Sequence, residues 1–241
     1  MAVLLKNLSK SYKEKVVVDQ LTLEIKQGEF FALLGSNGAG KTTTIKMLSC
    51  LLTPTSGEAV LLGDNVVTSP HIVKQKINVS PQETAIAPNL TVKENLEFVA
   101  RIYGANKEQA RQLAKNMMEQ FRLLDKAKTK AKTLSGGWQR RLSIAMALIS
   151  NPKVLFLDEP TLGLDVRARR ELWNILEQLK GKVTVILTTH YLDEAESLAD
   201  RIGIMHQGKL QALGTANELK SEMEMDSLED IFLSLTEEGV K

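Results

Sequence analysis

The octet Gly35-Ser36-Asn37-Gly38-Ala39-Gly40-Lys41-Thr42 constrains the fold more than any other stretch of the chain. It follows the apolar run Phe30–Leu34 and precedes Thr43-Thr44-Ile45-Lys46-Met47-Leu48, a segment with no breaker in which Ile45, Leu48 and Leu52 fall at helical spacing. The eight residues therefore join a buried strand to a helix. Polyphosphate carries several negative charges. Only backbone with little side-chain bulk can turn its N–H groups inward around such a group while a helix N-terminus adds its positive dipole end. In this reading Lys41 reaches the β- and γ-phosphates and the Thr42 hydroxyl ligates the Mg²⁺ that accompanies the nucleotide. A glycine turn with a chance lysine is the competing explanation. A match of this form arises by accident in a chain of this length roughly once in a hundred at average residue usage.

Composition narrows the class. With 241 residues and 43% hydrophobic content there is material for one large domain or two small ones with a sizeable core. A net charge of +2 lacks the basic excess that would by itself suggest a nucleic-acid partner. No run approaches the ~18 apolar residues of a membrane helix, and Met1-Ala2-Val3-Leu4-Leu5-Lys6 is too short and wrongly flanked for a signal peptide. The expectation is a soluble, cytosolic chain. The single cysteine, Cys50, permits no internal disulfide and is expected to be a buried structural thiol between Leu48 and Leu51-Leu52.

Residues 3–11 and 16–25 read as two β-rich strands joined by the turn Lys13-Glu14-Lys15. Tyr12, just before that turn, could stack on a purine or cover the strand edge, and the residues leave both open. Residues 58–67 return to strand and turn character after a break at Thr53-Pro54-Thr55-Ser56-Gly57. Beyond residues 77–80 helical periodicity takes over, as expected of an inserted helical subdomain at about 84–150. Thr91 and Glu94 form a capping box at its start, and a second helix is expected over 107–124. Lys126, Lys128, Lys130 and Lys132 invite a phosphate or lipid partner, but alternate lysines on a connection are more often a solvated surface.

Ser135-Gly136-Gly137 precedes a helix through Leu142, Ala145 and Leu148. Ser135 can cap it, and two glycines leave its first N–H groups bare to an anion, which makes a second phosphate site. Val154-Leu155-Phe156-Leu157-Asp158-Glu159 is an apolar strand ending in two acids. Successive strand side chains point to opposite faces, so the two carboxylates divide the work. Asp158 suits holding Mg²⁺, and Glu159 suits reaching the water that attacks the γ-phosphate. A helix is expected over 167–180, then a strand over 183–187 that delivers His190 to the same sheet edge, within reach of the γ-phosphate. His71 and His206 have no such setting and read as surface or turn residues; residues 202–206 and 209–213 read as a hairpin. Residues 227–235 read as a short amphipathic helix that docks on the body or on a partner.

Taken in order, Gly35 to Thr42, Gln82, Leu134 to Gly137, Asp158-Glu159, Leu164-Asp165 and His190 resemble the ATP-binding subunit of an ATP-binding cassette (ABC) transporter over nearly the whole chain. Thr188-Thr189-His190-Tyr191-Leu192-Asp193-Glu194-Ala195-Glu196 and Ser227-Leu228-Glu229-Asp230-Ile231-Phe232 resemble the branch serving bacterial export of drugs and polysaccharides. The resemblance implies an α/β fold of the P-loop NTPase, ABC ATPase type. It would have a mostly parallel core sheet, an N-terminal antiparallel β subdomain and the inserted helical subdomain, within a domain of residues 1–220 followed by an extension over 221–241. It implies an ATPase that works with ATP and Mg²⁺ in a head-to-tail dimer and drives an integral membrane permease, with no nucleic-acid partner. The chain would then be cytoplasmic and peripheral on the inner face of the membrane. The alternative is a soluble ABC ATPase acting on ribosomes or DNA. Tyr12 would stack on adenine, with Gly35 through Thr43 around the phosphates. Gln82 would sense the γ-phosphate and Mg²⁺. Ser135, Gly136 and Gly137 would contact the ATP of a second copy, and Asp165 would line that interface. Glu159 would be the general base and His190 the switch, with Lys41 and Gln82 completing the catalytic set. Trp138 and Val166 depart from the family's usual polar residue and proline at those positions.

Overall fold

The computed structural model describes residues 1–236. Two sheets share one body. β1 (Val3–Tyr12), β2 (Lys15–Ile25), β4 (Ser56–Leu61) and β5 (Asp64–Asn65) form an antiparallel sheet in the order β2-β1-β4-β5. The second sheet runs β10-β9-β3-β8-β7-β6, from β3 (Phe30–Leu34), β6 (Ile77–Ser80), β7 (Val154–Asp158), β8 (Thr184–Thr189), β9 (Arg201–His206) and β10 (Lys209–Gly214). Its central pairings are parallel, and only β10 returns antiparallel, through the Gln207-Gly208 turn.

The central strands read as unbroken apolar runs because both faces are covered. Strand alternation divides their side chains between two cores. Phe30, Ala32, Leu34, Leu155, Leu157, Val185 and Leu187 face the helices on one side, while Phe31, Leu33, Phe156 and Ile186 face the antiparallel sheet and α1 (Lys41–Leu48) on the other. Every parallel strand thus ends at one edge, where Leu34, Ser80, Asp158 and Thr189 are brought side by side.

Between β6 and β7 lie α3 (Val92–Ile102), α4 (Lys107–Gln120) and α5 (Gly136–Leu148). The α3 capping box forms as expected: the Glu94 N–H donates to Thr91 Oγ1 and the Thr91 N–H to Glu94 Oε2. Asn95, fully buried, ties the preceding loop to α3 by accepting from the Ala87 N–H and donating to the Ala87, Leu90 and Thr91 carbonyls. α6 (Val166–Glu177), α7 (Leu192–Leu198), α8 (Ala216–Glu222) and α9 (Leu228–Thr236) complete the layer. Leu228 and Ile231 of α9 bury into the helical-side core, so this helix docks on its own body. Positions 237–241 of the expected extension lie outside the described residues.

Several boundaries differ from expectation. α1 stops at Leu48 instead of reaching Leu52, because Cys50 adopts φ +57° and the Leu51 and Leu52 N–H groups both turn back to the Lys46 carbonyl. Cys50 is therefore half-buried at a helix end rather than a core thiol, and burial raises its thiol pKa. α4 ends at Gln120, where Arg122 takes φ +56°, four residues before the expected limit. α2 (Pro70–Lys76) and α8 were not anticipated. Both are seven residues long, too short for periodicity to register.

Candidate functional site

The phosphate loop emerges from β3 with its first turn pinned on the neighbouring strand, since the Gly35 N–H donates to the Thr189 carbonyl at 3.2 Å. Gly40 stands at φ +106°, and a Cβ there would lie 2.7 Å from the Val17 carbonyl oxygen and 2.8 Å from the Met205 methyl. No other residue fits. The Lys41 ammonium is buried within the loop, 2.7 Å from the Gly35 carbonyl and 3.2 Å from that of Ser36, and its third contact is Glu159 Oε1 at 3.2 Å.

The two acids at the end of β7 do not divide by strand alternation. Glu159 leaves the strand at φ +48°, so its direction is set by a backbone turn instead. That turn is held by the Glu159 N–H, which donates to the Thr188 carbonyl at 3.1 Å and lies 3.2 Å from Thr188 Oγ1. The Glu159 carboxylate consequently bridges two cations or potential cations. One oxygen faces Lys41, and the other is 2.7 Å from His190 Nδ1. Asp158 stays on the strand and accepts from Thr188 Oγ1 at 2.5 Å and Thr42 Oγ1 at 3.1 Å.

A cleft opens above these groups, lined by Val17, Asn37 through Thr43, Gln82, Glu159, Leu162 and His190. Gly35 and Ser36 lie behind Lys41 rather than on its wall, and Asp158 lies beneath the Thr42 hydroxyl. Tyr12 falls outside that lining: half its surface is exposed at the end of β1, with the Lys10 ammonium 5.2 Å from its ring centroid.

Ser135, Gly137 and Asp165 form a different surface, shared with Trp138, Arg141, Arg167, Ala168 and Glu171. Ser135 occupies the N-cap position of α5, but its side chain makes no capping hydrogen bond, contrary to expectation, and the first N–H groups of Gly136 and Gly137 carry no side-chain partner. The hydroxyl is left exposed at the helix entrance. Asp165 caps α6, accepting from the Ala168 N–H at 2.8 Å. Trp138 lies against the Arg141 guanidinium, 4.5 Å from the ring centroid, and Arg141 pairs with Glu171. In one copy of the chain the two groups of expected nucleotide contacts are therefore on separate surfaces.

Two residues to which sequence reading gave no role in the site hold its backbone in place. Arg140, buried in the second turn of α5, donates to the Pro81 and Gln82 carbonyls at 2.6 Å each and to the Glu159 carbonyl at 3.3 Å. Desolvation lowers its pKa, with Asp158 and Glu194 opposing that effect. One side chain thereby fixes the backbone of Gln82, of Glu159 and of the helix that Ser135 begins. The letters carry little signal for it, since Arg140 stands in the polar run Gln139-Arg140-Arg141 and only burial separates it from its neighbours. Thr188 is the other: a hydroxyl at the end of a buried strand, where an apolar residue would suffice for packing. Of the remaining histidines, His71 is exposed as expected, whereas His206 closes core strand β9 with a buried Nδ1 that finds no hydrogen-bond partner. Lys128, Lys130 and Lys132 are exposed, in keeping with a solvated surface.

Oxygen donors at Thr42 and Asp158, 3.1 Å apart, suit a hard divalent cation. Among the described residues no group of three His, Cys, Asp or Glu side chains could hold a metal without help. Such an ion would need oxygens from a ligand, as Mg²⁺ bound to phosphates does. No helix among the described residues is long and apolar enough to cross a membrane.

Residues 18–162 match the ABC transporter family. The linearmycin resistance ATP-binding protein LnrL of Bacillus subtilis (strain 168) is 40% identical over 235 residues, spanning 97% of this chain and 74% of that protein. The Nod factor export ATP-binding protein I of Burkholderia orbicola (strain AU 1054) is 42% identical over 227 residues, spanning 93% of this chain and 74% of that protein. A solved dimeric ATP-binding cassette in a post-hydrolysis state, bound to ADP and Pi, superposes with a TM-score of 0.79 at 30% identity, covering 88% of this chain and 98% of that one.

Proposed function

The chain belongs to the ABC transporter family as an ATP-binding, ATP-hydrolysing subunit, and on that premise we propose that two copies close head to tail on MgATP and drive export through a separate permease. The observation that carries this reading is the split site. Lys41 and His190 each reach the Glu159 carboxylate, at 3.2 and 2.7 Å, around one cleft, while the Ser135–Gly137 helix entrance lies on a different surface with its hydroxyl uncommitted. A triphosphate held by one copy's Gly35–Thr43 loop can take its remaining donors only from the Ser135 helix of another. ATP then favours the closed dimer because it binds that state better.

Within this reading Glu159 is the general base. Lys41 holds its carboxylate in place until phosphate oxygens compete for the ammonium, and His190 holds the second carboxylate oxygen so that the first can face the attacking water. Thr42 and Asp158 would hold Mg²⁺, with Gln82 beside them; the ion would supply charge neutralisation at the phosphates. Tyr12, free of the cleft wall, is placed to meet an adenine ring extending from it. Movement at Gln82 passes through Arg140 to α5 and, through the loop clamped by Asn95, to α3. The exposed Phe98 and Ile102 of α3 and Tyr103 just after it, 54%, 64% and 51% accessible, are where the permease would bear. In this reading the chain works at the cytoplasmic face of the membrane. Residues 1–220 would act as the ATPase domain, with residues 84–150 as its helical subdomain and residues 221–241 as an extension. The names of the relatives above, linearmycin resistance and Nod factor export, support the outward direction.

The test is Glu159→Gln in the full chain with MgATP. Phosphate release falls by roughly 10²–10⁴, the usual worth of a positioned base, and light scattering shows a dimer that wild type does not accumulate. Unchanged hydrolysis, or a variant that binds ATP yet stays monomeric alongside its permease, would overturn the reading.

A further inference from the structure

Glu194, in the second residue pair of α7, is fully buried and plays no part in the chemistry described above. Its carboxyl accepts from the Trp173 indole N–H at 3.1 Å through Oε1. The hydroxyls of Thr189 and Thr161 lie beside it. Two buried atoms there have no hydrogen-bond partner: Glu194 Oε2 and Thr161 Oγ1. Thr189 precedes His190, and Thr161 stands two residues after Glu159 in the turn that aims it. Glu194 thus sits between the two segments whose side chains meet at the Glu159–His190 contact.

Among the described residues no cation pairs with Glu194. β3 and β8, packed on α7, carry no ionisable side chain, and Arg169 of α6 pairs with Asp193 instead. Glu229 and Asp230 of α9 are exposed, while Glu159 and Arg140 act on Glu194 only through space. An isolated carboxylate in such a place is costly, and protonation removes that cost while giving Oε2 a proton to share with the Thr161 hydroxyl. Burial raises the pKa of this group, opposed by the nearby hydroxyl and indole donors and reinforced by the Glu159 charge.

We propose that Glu194 is a positioning residue that works as a neutral carboxyl, donating its proton from Oε2 to Thr161 Oγ1 and so fastening the His190 segment to the Glu159 turn. The link resists divergence of the two segments when the site closes, and it adds no negative charge beside the base.

The test uses the full chain with MgATP. Glu194→Ala lowers kcat at least about tenfold with ATP affinity little changed, because alignment rather than binding is lost. Glu194→Gln, which keeps shape, neutrality and a donor, restores turnover to within about threefold of wild type. Wild-type kcat falls on the alkaline side as Glu194 ionises, and the Gln variant lacks that fall. Infrared difference spectra at pH 7 contain a protonated-carboxyl C=O stretch that disappears in Glu194→Gln and shifts in Thr161→Val. A folded Gln variant as impaired as Ala, absence of that band, or a band indifferent to Thr161→Val would each overturn the proposal. Should Glu194→Gln fail to fold, the band in wild type and in Thr161→Val still decides it.

Discussion

Replacing Thr188 by valine keeps the β-branched shape that β8 packs around and removes one hydroxyl. That hydroxyl donates to Asp158 Oδ1 at 2.5 Å and stands 3.2 Å from the Glu159 N–H, and the residue is fully buried. Glu159 keeps its backbone bond to the Thr188 carbonyl, and Asp158 keeps the Thr42 hydroxyl, so the loss is one hydrogen bond to a charged acceptor. Such bonds contribute about 1.5–3 kcal/mol. At about 2–4 °C per kcal/mol for a chain of this size, Tm falls by roughly 3–12 °C. Calorimetry without nucleotide measures this. Thr184→Val, on the same strand as Thr188, is the matched control, because its hydroxyl accepts from the neutral Gly28 N–H, and its loss is expected to cost about 1 kcal/mol. The Thr188 variant should also need more Mg²⁺ for half-maximal hydrolysis, since Asp158 is less firmly aimed. A Thr188→Val protein within about 0.5 kcal/mol of wild type, or one less affected than Thr184→Val, would refute the argument that this hydroxyl holds the acid.

Gly40→Ala must shift the Val17 carbonyl or abandon φ +106°; ATP binding by equilibrium dialysis is expected to be lost, with a stability cost of at least about 1–3 kcal/mol, whereas Gly38→Ala, which meets nothing within 4 Å, is expected to be milder. Glu94 has its pKa lowered first by the Thr91 N–H and then by the Thr91 hydroxyl. Its folded-state value lies below the unfolded one, so its contribution is complete above the ordinary value of 4.5 and is lost as pH falls through the folded value. The Tm difference between wild type and Glu94→Gln should therefore be present at neutral pH and close in acid; a difference that persists unchanged at pH about 3 would show that the capping carboxylate is not its source.

Much of the site was legible because it is local. A strand, a glycine loop and a helix are contiguous, so Gly35 to Thr42 declare their own geometry, and the Thr91–Glu94 box needs only a three-residue spacing. Boundaries were legible only where a breaker is visible in the letters: nothing in Cys50 or Arg122 announces a left-handed turn, and both end their helices there. Glu159 was placed correctly at a strand end but with the wrong reason for its direction, because the turn depends on Thr188, 29 residues away.

From the letters alone came the residue types, their order, and the inference that a polyphosphate is gripped between a glycine loop and a pair of acids. Only the tertiary structure decided which atoms meet: Asp158 beneath Thr42, Glu159 between Lys41 and His190, Arg140 across three carbonyls, and the Ser135 helix turned onto another surface. The division is physical. Local pattern records what each segment must bury, whereas the partners of a buried charge are set by strand order, which brings Leu34, Ser80, Asp158 and Thr189 to one edge from four distant parts of the chain.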